Sequence, residues 1–318
     1  MKRFLWQIAK FILLQAIILA ASLLTFFGEP NKHHFLAGAI DKKARYESLE
    51  GPRIIVVGDS GAAFGIYSPI LEERFPSHQP VNMALMAAVG LPTMLSEVED
   101  GLREGDVVVL ILAYQHFDRY IYSWEFFNYL AYRPDQMFSK PLREYKDLSS
   151  IGFYFVHRAI RSLPRYFTIG PHQPRNPPMH REGFNEYGDL VAHYEMDPAQ
   201  GFSLTMDDLS LTELKHTDSI IKDLNRFAEV AESRGAEVFL LLPSISETTW
   251  EQNREVIEKI DDYVRTRLDF PVLNHPDEVI YPDDNFFDTF YHLTGPAAKR
   301  RTEHLAKRLE PIVDSKAK

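Results

Sequence analysis

Two short stretches carry side chains able to act on a carbonyl carbon. Gly58-Asp59-Ser60 directly follows the β-branched run Ile54-Ile55-Val56-Val57. A serine there, on a glycine-containing turn between strand and helix, presents its Oγ as a nucleophile and its backbone N–H to a developing oxyanion. Far downstream lies Phe287-Asp288-Thr289-Phe290-Tyr291-His292-Leu293-Thr294-Gly295. A histidine with an aspartate a few residues upstream is a base whose tautomer a carboxylate can hold. Thr294 reads as a helix N-cap with Pro296 in the first turn, which fixes His292 on a rigid loop just before a helix. The chain has no Cys, so a thiol nucleophile, Cys-ligated zinc and a lipidated Cys are all excluded.

Other polar groups read as structural. Asp59 fits a turn-stabilising role better than a catalytic one. His33 and His34 are adjacent, so they cannot share one helix face as a metal pair would, and they read as solvated linker. His116 reads as structural although it follows a strand. Phe184-Asn185-Glu186-Tyr187-Gly188-Asp189 reads as an ordered turn, with the alternative that it reaches over the site. Lys299-Arg300-Arg301 reads as a solvated helix face. There is no Gly-x-Gly-x-x-Gly or Walker pattern, so no nucleotide is expected, nor any other cofactor or metal. With 35 Lys+Arg against 45 Asp+Glu, the net charge is −10, which argues against a nucleic-acid surface.

The elements that must position these residues alternate. Strands are expected at 53–57, 80–84, 107–113, 236–242 and 271–273. Helices are expected at 69–74, 92–103, 211–234, 251–268 and 296–309. The 211–234 helix carries Leu214, Ile221, Leu224, Phe227, Val230 and Ala231 on one stripe. Such alternation predicts an α/β fold with a parallel sheet covered on both faces and chemistry at the carboxyl ends of its strands. Residues 51–318 form this domain, with an insertion at about 115–210. The insertion is dense in aromatics near its start, and four prolines forbid a helix at 171–180. Its aromatics are expected to pack a subdomain, with a sugar-stacking or acyl-binding platform as the alternative.

The N-terminus differs from the rest. Lys2, Arg3 and Lys10 precede an uncharged stretch from Phe11 to Phe27. That length suits the ~30 Å hydrocarbon core, and no clean cleavage site follows. Residues 1–28 are therefore expected to be an uncleaved signal-anchor helix, with a cleaved signal or a buried helix as alternatives. A polar linker is expected at 29–50. The flanking charge favours a single pass through the cytoplasmic membrane with the main domain outside the cytoplasm.

Ile54 to Ser60 and Asp288 to Thr294, in this order, resemble the SGNH/GDSL hydrolase superfamily, over about Arg53 to Leu309. That likeness implies a flavodoxin-like three-layer sandwich and a serine esterase chemistry with Ser60, His292 and Asp288 as its triad. Asn82 matches the Asn-x-x-x-x-Gly block, although Ala87 stands where the glycine would be. The Gly-x-Asn-Asp block is absent, and Gln115 is the amide at that strand end. By this resemblance Asn82, Ala87 and Gln115 are the candidate oxyanion and substrate-binding residues, with a structural side-chain bond to the Ser60 turn as the equal alternative for Asn82. The last block is Asp-x-x-x-His, one residue longer than usual, with Asp283 and Asp284 as alternative acids.

Within the superfamily the pattern is similar to the membrane-anchored extracytoplasmic branch, which includes alginate O-acetylation proteins and the teichoic acid D-alanine transfer protein. The resemblance implies transfer of an acyl group, acetyl first among candidates, from an ester donor to a polysaccharide or cell-wall acceptor. It also implies a multi-span membrane-bound O-acyltransferase as partner. Alternatives are a catalytically reduced polysaccharide-binding accessory protein and an exported lipase or esterase.

Overall fold

The computed structural model describes residues 2–27, 32–119, 121, 123–138, 153, 177–199 and 215–316. Most of the expected insertion, including Tyr120 and Tyr122, lies outside the described residues.

The protein is an α/β fold built on a four-stranded parallel sheet. Its strands are β1 (Arg53–Gly58), β2 (Gln79–Asn82), β3 (Val107–Ile111) and β4 (Glu237–Leu240), in the order β2-β1-β3-β4. β1 and β3 are buried at every position, which explains their continuous β-branched character rather than an alternating one. The pleat sends Ile55 and Val57 to one face and Ile54 and Val56 to the other.

The first face is covered by α2 (Gly38–Ser48), α5 (Leu91–Glu99) and α8 (Lys215–Ser233), through Tyr46, Leu95, Leu224 and Phe227. The second is covered by α3 (Ser60–Gly65), α4 (Pro69–Arg74) and α10 (Gly295–Lys316), through Ala62, Leu71, Leu305 and Leu309. α9 (Glu247–Arg267) adds Ile257 and Ile260 to the first core. The strand expected at 271–273 is reduced to one parallel bridge, Val272 to Leu240, flanked by two backbone hydrogen bonds. A two-stranded sheet, β5 (Ile245–Ser246) and β6 (Ile280–Tyr281), is an element the periodicity did not announce.

This strand order determines where chemistry can sit. β2 and β3 flank β1, so the connections leaving β1 and β3 diverge and open a crevice at their carboxyl ends. β1 ends there on Gly58. A Cβ at this position would stand 2.0 Å from the Ile111 carbonyl oxygen, so only glycine lets the ends of β1 and β3 close up.

α1 (Lys2–Phe27) has 26 residues, about 39 Å at 1.5 Å per residue. From Lys2 to Ala21 it is long and apolar enough to cross a membrane, and none of that span is buried against the fold.

The segment expected to be a polar linker, 29–50, is instead largely part of the domain. Phe35, Leu36 and Ala37 are buried, and α2 lies on the sheet edge. The charged face that suggested a linker is used internally. Lys42 Nζ donates to the carbonyl oxygens of Asn82 (2.9 Å) and Gly188, and Tyr46 donates to Val98 O at 2.7 Å. Burial pushes the Lys42 ammonium down to about 7, against the Asp189 and Asp41 carboxylates. His34 is likewise no solvated residue: it accepts from Leu36 N–H and stacks on Tyr132.

Among the described residues, the aromatics after β3 pack into the core. Phe117 of α6 (Gln115–Asp118) and Phe126 and Tyr129 of α7 (Trp124–Leu130) lie in the first core.

Candidate active site

The residues after β1 form the floor of the site. Asp59 is the N-cap of α3: its Oδ1 accepts from Gly61 N–H at 2.8 Å. Its Oδ2 accepts from Ala113 N–H at 2.7 Å and lies 3.4 Å from His116 Nε2. One carboxylate thus ties the ends of β1 and β3 together. Burial alone would raise the Asp59 carboxyl. The bond and charge of His116 and the two N–H donors outweigh burial and hold it below the usual carboxylate range. Asp59 and His116 are therefore structural at the crevice, as their sequence context suggested.

Ser60 opens α3 and is 7% exposed. At the first helical position its N–H has no intrahelical acceptor. Phe64 lies one turn further along the same face. The His292 ring stacks on Phe64 at 3.8 Å between centroids and 4° between planes. This contact places the imidazole against the helix face that carries Ser60.

The loop 285–294 holds the imidazole there. It is closed by the antiparallel bridge Phe286 to Leu293, by Thr294 N–H to Asn285 O (2.8 Å) and by Phe287 N–H to His292 O (2.8 Å). Inside it, Thr289 Oγ1 accepts from His292 N–H at 3.1 Å and closes a tight turn. That turn makes the five-residue spacing work. Asp288 and His292 are i and i+4, and His292 Nδ1 donates to Asp288 Oδ1 at 2.6 Å. The alternative acids are engaged elsewhere. Asp283 accepts from Thr248 N–H (3.0 Å) and Oγ1 (2.5 Å) at the start of α9, and Asp284 accepts from Asn285.

Tyr291 is the residue that the sequence did not single out. Its ring packs 4.6 Å from His292, and a Cβ on Gly61 would stand 3.5 Å from that ring, so Tyr291 lies beside the Ser60 turn. Burial, with the Asp59 and Asp288 charges, pushes Tyr291 up to about 12, so it is neutral near pH 7. His292 Nε2 is buried and has no hydrogen-bond partner among the described residues. That nitrogen is thus open to a hydroxyl in the crevice.

The three oxyanion candidates separate. The segment after β2 continues along β1, with Leu85 N–H donating to Gly58 O at 3.2 Å. Ala87 follows two residues later, at the start of a 3₁₀ turn. Gln115 follows β3 at the same crevice, and its Oε1 is buried with no partner among the described residues. Asn82 does not fit an oxyanion role. Its Nδ2 donates to Asp189 Oδ1 (3.0 Å) and Ala62 O (3.4 Å), and its Oδ1 accepts from Ala84 N–H (3.0 Å). Both amide hydrogens are spent bracing α3 from behind.

The 184–189 turn supplies that brace. Asp189 also accepts from Ser68 N–H and Oγ, and burial raises its carboxyl despite these bonds. Leu190 N–H donates to Ala63 O at 2.9 Å. The turn thus straps the flank of α3 instead of reaching over Ser60. His193, next along the strap, packs on Phe64 and Phe287, and its Nε2 donates to Leu293 O at 2.9 Å.

Burial pushes His193 down to about 4. Its unfolded value is near 6.5, so between about pH 4 and 6.5 the unfolded chain binds the extra proton. Stability from this group is full above pH 6.5 and is lost on acidification to 4, by at most about 3 kcal/mol. We expect the urea midpoint to fall over that window and His193→Gln to flatten the fall. Equal slopes in the two proteins would assign the acid sensitivity to other groups.

Compared with known families and curated proteins, the chain matches no family model and no curated sequence.

Proposed function

We propose that the protein is a membrane-anchored, serine-dependent O-acyltransferase or esterase on an SGNH hydrolase-like fold. The observation that carries the reading is the Asp288–His292 pair stacked against the Ser60 helix at the switch point of the sheet. Ser60 Oγ attacks the acyl carbonyl while His292 Nε2 takes its proton, and Asp288 stabilises the imidazolium. The N–H groups of Ser60 and Ala87, with Gln115, receive the oxyanion. His292 then protonates the leaving alcohol. A second hydroxyl, from a sugar or from water, takes the acyl group off Ser60.

A polysaccharide acceptor is supported by an open cleft of about 520 Å³ on the strap side of α3, lined by Tyr67, Tyr187, Tyr194, Asn185, Glu186 and Glu195. Aromatic faces suit the CH faces of sugar rings, and the polar groups suit their hydroxyls. α1 would hold the domain at the outer face of the cytoplasmic membrane, beside a multi-span O-acyltransferase that delivers the acyl group.

The decisive experiment incubates the full-length protein in detergent with a chromogenic acetyl ester and maps the adduct by mass spectrometry. We expect an acetyl group on Ser60 that added polysaccharide or water removes. An ester-cleaving preparation with no adduct on Ser60 would rule the mechanism out. The second reading, a catalytically reduced polysaccharide-binding accessory protein, is favoured by the unpaired His292 Nε2. It predicts glycan binding with neither adduct nor turnover.

A further inference from the structure

Arg301 is not on a solvated face, as its place in Lys299-Arg300-Arg301 suggested. Lys299 sits over the Tyr67 ring and Arg300 bonds Asn285, but Arg301 is 0% exposed. Its guanidinium lies between α10 and α3, where Nη1 donates to Gly61 O at 3.3 Å. A Cβ at Gly65 would stand 2.5 Å from Nη1. Gly65 thus leaves the gap that admits the guanidinium under the nucleophile helix, where the Gly61 carbonyl accepts from it.

We infer that Arg301 is a positioning residue for Ser60: it seats α3 and supplies the buried positive charge that offsets Asp59 as the oxyanion forms. The inference rests on the acyl-serine reading. Its first support is what the fold does not gain. A guanidinium carries five N–H donors, yet Nε and Nη2 have no partner among the described residues, and no carboxylate there is within salt-bridge distance. Burial pulls Arg301 down to about 10, against the opposing pull of Tyr281, Asp59 and Tyr114. An apolar side chain of similar length would fill the groove without carrying a charge out of water.

The second support is what the reaction gains. The Asp59 carboxylate immediately precedes Ser60 and is 2% exposed. Its charge opposes the negative charge that grows on the attacked carbonyl oxygen at the start of α3. Arg301, which is bonded to the Gly61 carbonyl of α3 and feels the Asp59 charge, is a buried cation at that helix. This offset acts in the transition state, where the oxyanion exists, so its loss belongs in kcat and not in KM.

The test uses full-length wild type, Arg301→Met and Arg301→Lys in detergent. The readouts are the rate of Ser60 labelling by a fluorophosphonate probe, acetyl-ester kinetics and thermal unfolding. We expect Arg301→Met to unfold at the wild-type temperature or above. Its labelling rate and kcat should fall about tenfold or more at unchanged KM, with partial recovery in Arg301→Lys. Labelling of Arg301→Met at the wild-type rate would overturn the inference while leaving the nucleophile in place. So would a Met variant that unfolds early, or one whose activity falls only in step with its folded fraction. A wild-type protein that does not label at Ser60 overturns the acyl-serine reading, and this inference with it.

Discussion

Ser60→Ala is expected to abolish fluorophosphonate labelling and to lower acetyl-ester turnover by about 10⁴-fold or more, with the fold intact. The size of the loss follows from the chemistry. Without Oγ there is no covalent intermediate, and what remains is oxyanion stabilisation and binding. The fold should survive because the bonds that build α3 do not use the serine side chain. Asp59 still accepts from Gly61 N–H, and the Ala62 and Ala63 N–H groups still donate to Asp59 O. No bond of that scaffold is removed with Oγ, so the stability cost should not exceed about 1 kcal/mol. Equal labelling of wild type and Ser60→Ala, read on a gel with circular dichroism to confirm folding, would show that the probe reacts elsewhere.

What could be read in the sequence depended on how local the determinant is. β1 and β3 were legible because a buried parallel strand needs an unbroken apolar run, and Ile54–Val57 and Val107–Ile111 supply one. Asp288 and His292 were legible because they meet within a single turn, although the sequence could not say that Thr289 would close that turn. The failures are all non-local. Residues 38–48 look like a linker until Lys42 finds the carbonyls of Asn82 and Gly188, 40 and 146 positions away. Asn82 suits an oxyanion amide and a structural bond to the Ser60 turn equally well until Asp189, 107 positions away, decides for the second. Arg301 looks solvated until Gly61, 240 positions away, proves to be its neighbour. Each reversal places a polar side chain inside the molecule, where the partner, and not the residue type, decides the outcome. Tyr291 had a weaker signal of the same kind, since it stands beside His292 in the loop that must face Ser60.

Asp288→Asn is expected to lower kcat about 10²-fold while the His292 loop stays folded, a smaller loss than the roughly 10⁴ reported by a wholly buried triad aspartate. The carboxylate accepts from His292 Nδ1 at 2.6 Å and so keeps the unprotonated Nε2 turned to its task. Asparagine can instead donate to Nδ1, which leaves the proton on Nε2 and removes the base. The smaller loss follows from exposure: the Asp288 side chain is 28% exposed, so water shares in stabilising the imidazolium. The loop does not rely on the pair for its shape, because Thr289, the Phe286–Leu293 bridge and the stack on Phe64 hold it independently. His292→Ala removes the base altogether and should lose more turnover than Asp288→Asn. Asp283→Asn should keep wild-type kcat per folded molecule and show only a weakened start of α9, because its bonds go to Thr248. The comparison is read from kcat alongside thermal unfolding for all three variants. If Asp283→Asn loses turnover and Asp288→Asn does not, the orienting acid is Asp283, and the turn that joins Asp288 to His292 is structural only.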